Sequence, residues 1–208
     1  MNLVAHDAVA AYLGPAPLVD LDAPEIAAFV AENLRNCAPE EVARRVFHFV
    51  RDEVAHSWDV AGRRMARSAT DALRIREGIC YPKSHLFAAL ARAAGIPTAI
   101  CYQRLTLLDD DSAGQAVHAL NAVYVGGRWS RLDARGNKPG VAAEFALDQE
   151  KLAFPVRARF DEIDYPRLFV EPHPAIVETL TWPFTKRFFE PVETASVTFC
   201  SRVSIVRC

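Results

Sequence analysis

The chain has little that would commit it to a metal, a membrane or a nucleic acid. Its five cysteines are odd in number and include no C-x-x-C pair, so neither a zinc ribbon nor a complete disulfide framework fits them. No apolar run is long enough to cross a bilayer. The first residues, Met1 to Ala8, lack the basic and apolar stretches of a signal peptide. No Lys/Arg run lies beside interleaved aromatics, and a formal net charge of −2 supplies no footprint for phosphate backbones. There is no internal repeat, interdomain linker or low-complexity segment. These absences lead to the expectation of a cytoplasmic protein with reduced thiols and no nucleic-acid or membrane partner. The oligomeric state is left open.

What is present suits a folded domain. At 208 residues, with 51% hydrophobic and 24% charged residues, the chain can bury a sizeable core and reads as one domain over 1–208. Asp22, with Glu25 three residues on, predicts a capped helix carrying Ile26, Phe29, Val30 and Leu34 on one face. Pro39 predicts the start of a second helix, along which Val42, Val46, Phe49, Val50 and Val54 recur at helical spacing. Ser68-Ala69-Thr70-Asp71 reads as a further cap, and 174–180 as a short helix. From Thr98 the pattern changes to strands over 98–108, 117–125 and 128–133. Helices first and antiparallel strands afterwards read as α+β. Asp109-Asp110-Asp111 lacks the spacing of a calcium loop and reads as solvated. The alternation over 197–206 predicts a strand in a tail of unassigned role.

The most informative stretch is Glu77-Gly78-Ile79-Cys80-Tyr81-Pro82. Leu86 and Leu90, then Phe87 and Ala91, stand four apart, so a helix with an apolar face follows at once. Pro82 is tolerated in its first turn, Gly95 supplies a left-handed cap, and Pro97 forbids continuation. Cys80 therefore stands at a helix start, where unpaired N–H groups and the positive dipole end favour thiolate and can hold an oxyanion. Free cysteines are more often small buried hydrophobes, and Cys37, Cys101, Cys200 and Cys208 fit that description or a surface position. His48 and His56 have no partner at metal spacing and read as packing or surface residues.

A histidine and an aspartate downstream set Cys80 apart. If Gly126-Gly127 is a two-residue turn, Val125 pairs with Arg128 and Tyr124 with Trp129. Extending that register places Leu120 opposite Asp133, with His118 the diagonal neighbour of Asp133 on the same face. Such neighbours lie roughly 7 Å apart, within reach of an imidazole–carboxylate hydrogen bond. His118 then takes the thiol proton, Cys80 attacks a carbonyl carbon, and Asp133 orients the imidazole. The backbone N–H of Cys80, with Gln103 as a candidate side chain, faces the oxyanion. Hydrolysis of an amide or peptide bond through an acyl-thioester is the leading expectation. Transamidation, a binding module without turnover, and zinc held by Cys80, His85 and His118 are the alternatives. In the zinc reading His85 is the weak point, since a surface or supporting histidine explains it far better and no paired-ligand spacing supports a metal.

At these residues the chain resembles the bacterial transglutaminase-like family. The matching segments are Gly78-Ile79-Cys80 with Ala94-Gly95-Ile96-Pro97, then Val117-His118-Ala119, then Trp129-Ser130-Arg131-Leu132-Asp133. With the preceding helix from Ala43 to Val54, the resemblance covers about 39–138, leaving 139–208 as cover and tail. It implies a papain-like core, in which the cysteine helix packs on an antiparallel sheet bearing His118 and Asp133. It also implies thiol acyl-transfer on a peptide, protein or small amide, without cofactor or metal. The wider group includes proteases, amidases, transglutaminases and non-catalytic members. The residue after the cysteine is often small or acidic there, so Tyr81 is a candidate for shaping the substrate cleft. The calcium sites of animal transglutaminases have no counterpart.

Overall fold

The computed structural model describes residues 1–62, 64–107 and 114–181. The acidic run at 109–111 and the tail at 182–208, including its expected strand, lie outside the described residues. So do Cys200 and Cys208.

Prolines and local caps set the helix starts. Helix α1 (Pro24–Asn33) begins without the Asp22 cap expected from the sequence. Its N-cap is Ala23, with no side-chain bond. Pro24 supplies a fixed φ and removes one of the first-turn N–H groups, and the Ala23 N–H turns back to the Asp20 carbonyl at 3.1 Å. Helix α2 (Pro39–Glu53) also starts at its proline and buries Val42, Val46, Phe47 and Val50. Helix α3 (Ala69–Ile75) has the expected cap at Ser68 as a full capping box: the Ser68 hydroxyl accepts from the Asp71 N–H, and the Asp71 carboxylate accepts from the Ser68 N–H. Asp20, far away in sequence, adds an acceptor for the Thr70 N–H at 3.2 Å.

Helix α4 (Cys80–Ala93) is the centre of the molecule. The sequence predicts one apolar face, but every residue from Cys80 to Arg92 is buried, because α1, α2, α3 and the sheet surround the helix. Arg92 donates to the carbonyls of Thr98, Gly14 and Val170 at 2.9, 2.9 and 2.7 Å, which clips both ends of the described chain to the helix. The helix ends in a Schellman motif: Gly95, with φ of 84°, donates to the Arg92 carbonyl, and Ile96 donates to that of Ala91.

The main sheet is antiparallel throughout. Strands β4 (Thr98–Thr106), β5 (Gln115–Val125), β6 (Arg128–Leu132) and the short β7 (Ile163–Asp164) lie in the order β6-β5-β4-β7. Gly126 and Gly127, with φ of 61° and 79°, form the two-residue turn that the dipeptide predicts. Two short parallel pairings complete the strands: β1 (Val4–Ala5) with β8 (Arg167–Leu168), and β2 (Ala55–His56) with β3 (Glu77–Gly78). One sheet face presents Ile100, Tyr102, Ala119 and Val123 to the core around α4. The other presents Ala99, Cys101, Leu120 and Ala122 to a smaller cluster with Tyr12 and Leu168. Helix α5 (Pro174–Thr181) occupies the stretch expected to be helical. Among the described residues no helix is long and apolar enough to cross a membrane.

Candidate active site

Strand β3 delivers the chain to Cys80. Gly78 suits the approach: a Cβ on it would lie 3.0 Å from the Pro82 ring, a tight contact to which the ring would have to yield by a few tenths of an ångström. No side chain caps the helix, whose N-cap residue is Ile79. Cys80 itself is 1% exposed. The first turn is fixed to the sheet by Tyr81, whose hydroxyl donates to the Val117 carbonyl at 2.7 Å. That carbonyl belongs to the peptide unit leading into His118. One turn further on, the Asn121 amide donates to the Ser84 carbonyl at 3.1 Å, so α4 runs along β5. Tyr81, read from the sequence as a cleft-shaping residue, has its phenol group engaged with the sheet.

The hairpin register is the one the sequence predicts, with Val125 paired to Arg128, Tyr124 to Trp129 and Asn121 to Leu132. Pleat alternation then puts His118 and Asp133 on one face, and His118 Nε2 lies 2.9 Å from Asp133 Oδ2. Asp133 also accepts from the Ala153 N–H at 3.1 Å on Oδ2 and from the Arg135 N–H at 3.2 Å on Oδ1. Burial works against its charge, yet His118 and the two backbone donors outweigh it and hold the carboxyl below its ordinary range. An ionised Asp133 makes Nε2 the protonated ring nitrogen and leaves the Nδ1 lone pair as the basic site. Phe154 packs its ring perpendicular to the imidazole, with centroids 5.2 Å apart.

Gln103 pairs directly with His118 across β4 and β5. Its Nε2 donates to Asp164 at 2.8 Å and to the Phe154 carbonyl at 3.3 Å. Both amide hydrogens are thus engaged, one with Asp164 of β7 and one with the 153–154 segment beside His118, and neither is left for an oxyanion. His85, read as a surface or supporting histidine, is wholly buried in the α4 core, and burial pushes its pKa down to about 3. Among the described residues no group of three or more His, Cys, Asp and Glu side chains is gathered for a metal.

Several residues around the site had no signal in the sequence. Lys83, one turn after Cys80, is 1% exposed, and its ammonium group donates to the carbonyls of Val50 and Val54 at the end of α2. Burial, reinforced by nearby Arg135, pushes its pKa down to about 7. Arg135 is clamped by both oxygens of Asp59, one of them also held by Lys138 at 2.8 Å. His56, in β2, is buried beside this cluster. The Lys83 contacts reach back 33 and 29 residues, those of Arg135 and Lys138 with Asp59 span more than 70, and none follows a periodic pattern.

Among curated proteins no sequence matches the chain. Two solved structures are similar over part of it. One is a candidate cysteine protease from Cytophaga hutchinsonii, at 22% identity and a TM-score of 0.47, over 61% of this chain and 42% of that one. The other is a candidate protease from Parabacteroides distasonis, at 17% identity and a TM-score of 0.40, over 55% of this chain and 25% of that one. The chain thus spans less than half the length of either protein. The sequence model of one superfamily matches residues 28–134, half of the chain, and takes in Cys80, His118 and Asp133. The mixed fold, the cysteine helix on an antiparallel sheet and this match agree: the chain belongs to the transglutaminase-like superfamily.

Proposed function

We propose that the protein is a cysteine hydrolase that cleaves an amide or peptide bond through an acyl-thioester on Cys80. The observation that carries this reading is the buried His118–Asp133 pair, 2.9 Å apart, on the strand against which the start of α4 is fastened. Strand β6 pairs with β5 only from Asn121 to Val125, so His118 lies beyond the end of that pairing. Its backbone is thus free of β6 pairing, next to the Val117 carbonyl to which the first turn of α4 is hydrogen-bonded.

In this mechanism His118 Nδ1 takes the thiol proton and the sulfur attacks the carbonyl carbon of the substrate. The electron pair moves onto the carbonyl oxygen, which the Cys80 N–H stabilises at the helix start. As the carbon–nitrogen bond breaks, His118 returns the proton to the leaving amine, and a thioester remains. Water then attacks the thioester, with His118 again as base, releasing the acid and restoring the thiol. Asp133 keeps the imidazole in the needed tautomer and stabilises its cationic form.

The test is turnover of a panel of peptide, amide and activated-ester substrates by wild type and by Cys80→Ala. The expected result is an acyl-enzyme detectable by intact mass in wild type and absent in the variant. Added primary amine should leave the acid as the main product; a dominant amide product would make the protein a transamidase. No turnover and no trapped acyl-enzyme across the panel would replace the hydrolase reading with a binding module.

A further inference from the structure

His56 is a buried histidine near the site that the mechanism above leaves unused. It is 3% exposed, and neither ring nitrogen has a hydrogen-bond partner among the described residues. Buried polar groups are overwhelmingly paired, and a buried donor left empty is costly, so such a histidine calls for a functional reason. Its position supplies one. In the β2–β3 pairing His56 stands opposite Gly78, two residues before Cys80, and neighbouring strands lie about 4.8 Å apart. The Ser57 N–H donates to the Gly78 carbonyl at 3.2 Å, which locks this register.

The charged groups around His56 are Arg135, Asp59, Lys83 and His118. Burial is the main influence on the ring; Arg135, Lys83 and His118 add to it and only Asp59 opposes, so the pKa is pushed far down. The imidazole is therefore neutral, with one N–H to donate and no competition from a bound proton on the other nitrogen. Gln103, the other polar side chain considered for this part, has both amide hydrogens engaged.

We propose that His56 donates its ring N–H to the carbonyl oxygen of the substrate, as the side-chain partner of the Cys80 N–H in the oxyanion hole. The inference rests on the acyl-thioester reading. A neutral donor suits the task, since it stabilises the developing negative charge without taking or giving a proton. The empty donor is filled when substrate binds.

The experiment compares two reactions at Cys80 by intact mass. Acetylation by p-nitrophenyl acetate passes through an oxyanion; alkylation by iodoacetamide does not. His56→Leu should slow acetylation by about 100-fold or more, the usual cost of one lost oxyanion donor, and leave alkylation at the wild-type rate. His56→Gln keeps a side-chain N–H and should recover part of the acetylation. The melting temperature of His56→Leu should not fall, since the change removes two unpaired ring nitrogens; His56→Met serves as a second donor-free variant should His56→Leu fail to fold. Acetylation at the wild-type rate in a folded donor-free variant would refute the role of His56. So would a parallel fall of acetylation and alkylation, which would place His56 in thiolate formation or packing. Wild type that alkylates at Cys80 but never acetylates would refute the acyl-transfer reading, and this proposal with it.

Discussion

Replacing Asp133 by asparagine tests the site most sharply, because the cost follows from which oxygen accepts what. Oδ2 accepts from His118 and the Ala153 N–H, and Oδ1 from the Arg135 N–H. An amide with its NH2 in the Oδ2 place would face two donors and force His118 to move its proton to Nδ1. The cheaper rotamer puts the NH2 against the Arg135 N–H alone. That leaves one buried N–H unsatisfied, costing about 1–3 kcal/mol, and reduces two charge-assisted hydrogen bonds to neutral ones, at about 1 kcal/mol in all. The expected loss of stability is on the order of 3 kcal/mol. Turnover should fall by up to about 10⁴-fold, the cost of losing the carboxylate that orients such an imidazole and stabilises its cation. Acid behaviour gives a second readout. The folded-state pKa of Asp133 lies below its ordinary value of 3.8, so its stabilisation is complete above that value and is lost as pH falls through the lower one. Urea unfolding between pH 3 and 8 should show this acid limb in wild type and a shallower one in Asp133→Asn. An Asp133→Asn protein with wild-type stability, acid limb and turnover would refute the assignment.

Three further outcomes are expected. Sub-stoichiometric iodoacetamide at neutral pH, followed by peptide mapping, should label Cys80 first; Cys101 is wholly buried, with its thiol pushed up to about 12, and first labelling of any other cysteine would count against the nucleophile. Lys83 binds its proton less readily in the folded chain (pKa about 7) than at its ordinary value of 10.5, so wild-type stability should rise with pH across that window, by up to about 5 kcal/mol. Lys83→Met should flatten that rise in urea melts, and an unchanged slope would show that Lys83 is not its source. Tyr81→Phe removes the hydrogen bond to the Val117 carbonyl and should cost about 1 kcal/mol, read as a lower urea midpoint at unchanged m.

The sequence by itself determined the parts whose information is local. Helix starts at Pro39 and Ser68, the Gly95 stop and the Gly126-Gly127 turn follow from φ restrictions and capping chemistry within a few residues. Because side chains alternate along a strand, the turn alone carried the register from Val125–Arg128 to His118 and Asp133, seven and five residues away. Cys80 at a helix start was legible for the same reason. Where local rules competed, they misled: Asp22 looked like a cap, but the helix starts at Pro24 with Ala23 as its N-cap, and Asp20 instead serves α3 across fifty residues.

Only the tertiary structure decided what surrounds the site. That α4 is buried on every side could not be read from its one apolar stripe, because the covering elements come from both directions along the chain. The same closure explains Lys83 on the end of α2, His85 in the core and the 153–154 segment over His118. It also placed His56 opposite Gly78 with its ring nitrogens unpaired, a fact of long-range packing that no spacing encodes. Local pattern sets which face a side chain takes; burial and its energetic consequences arise only when distant elements close over that face.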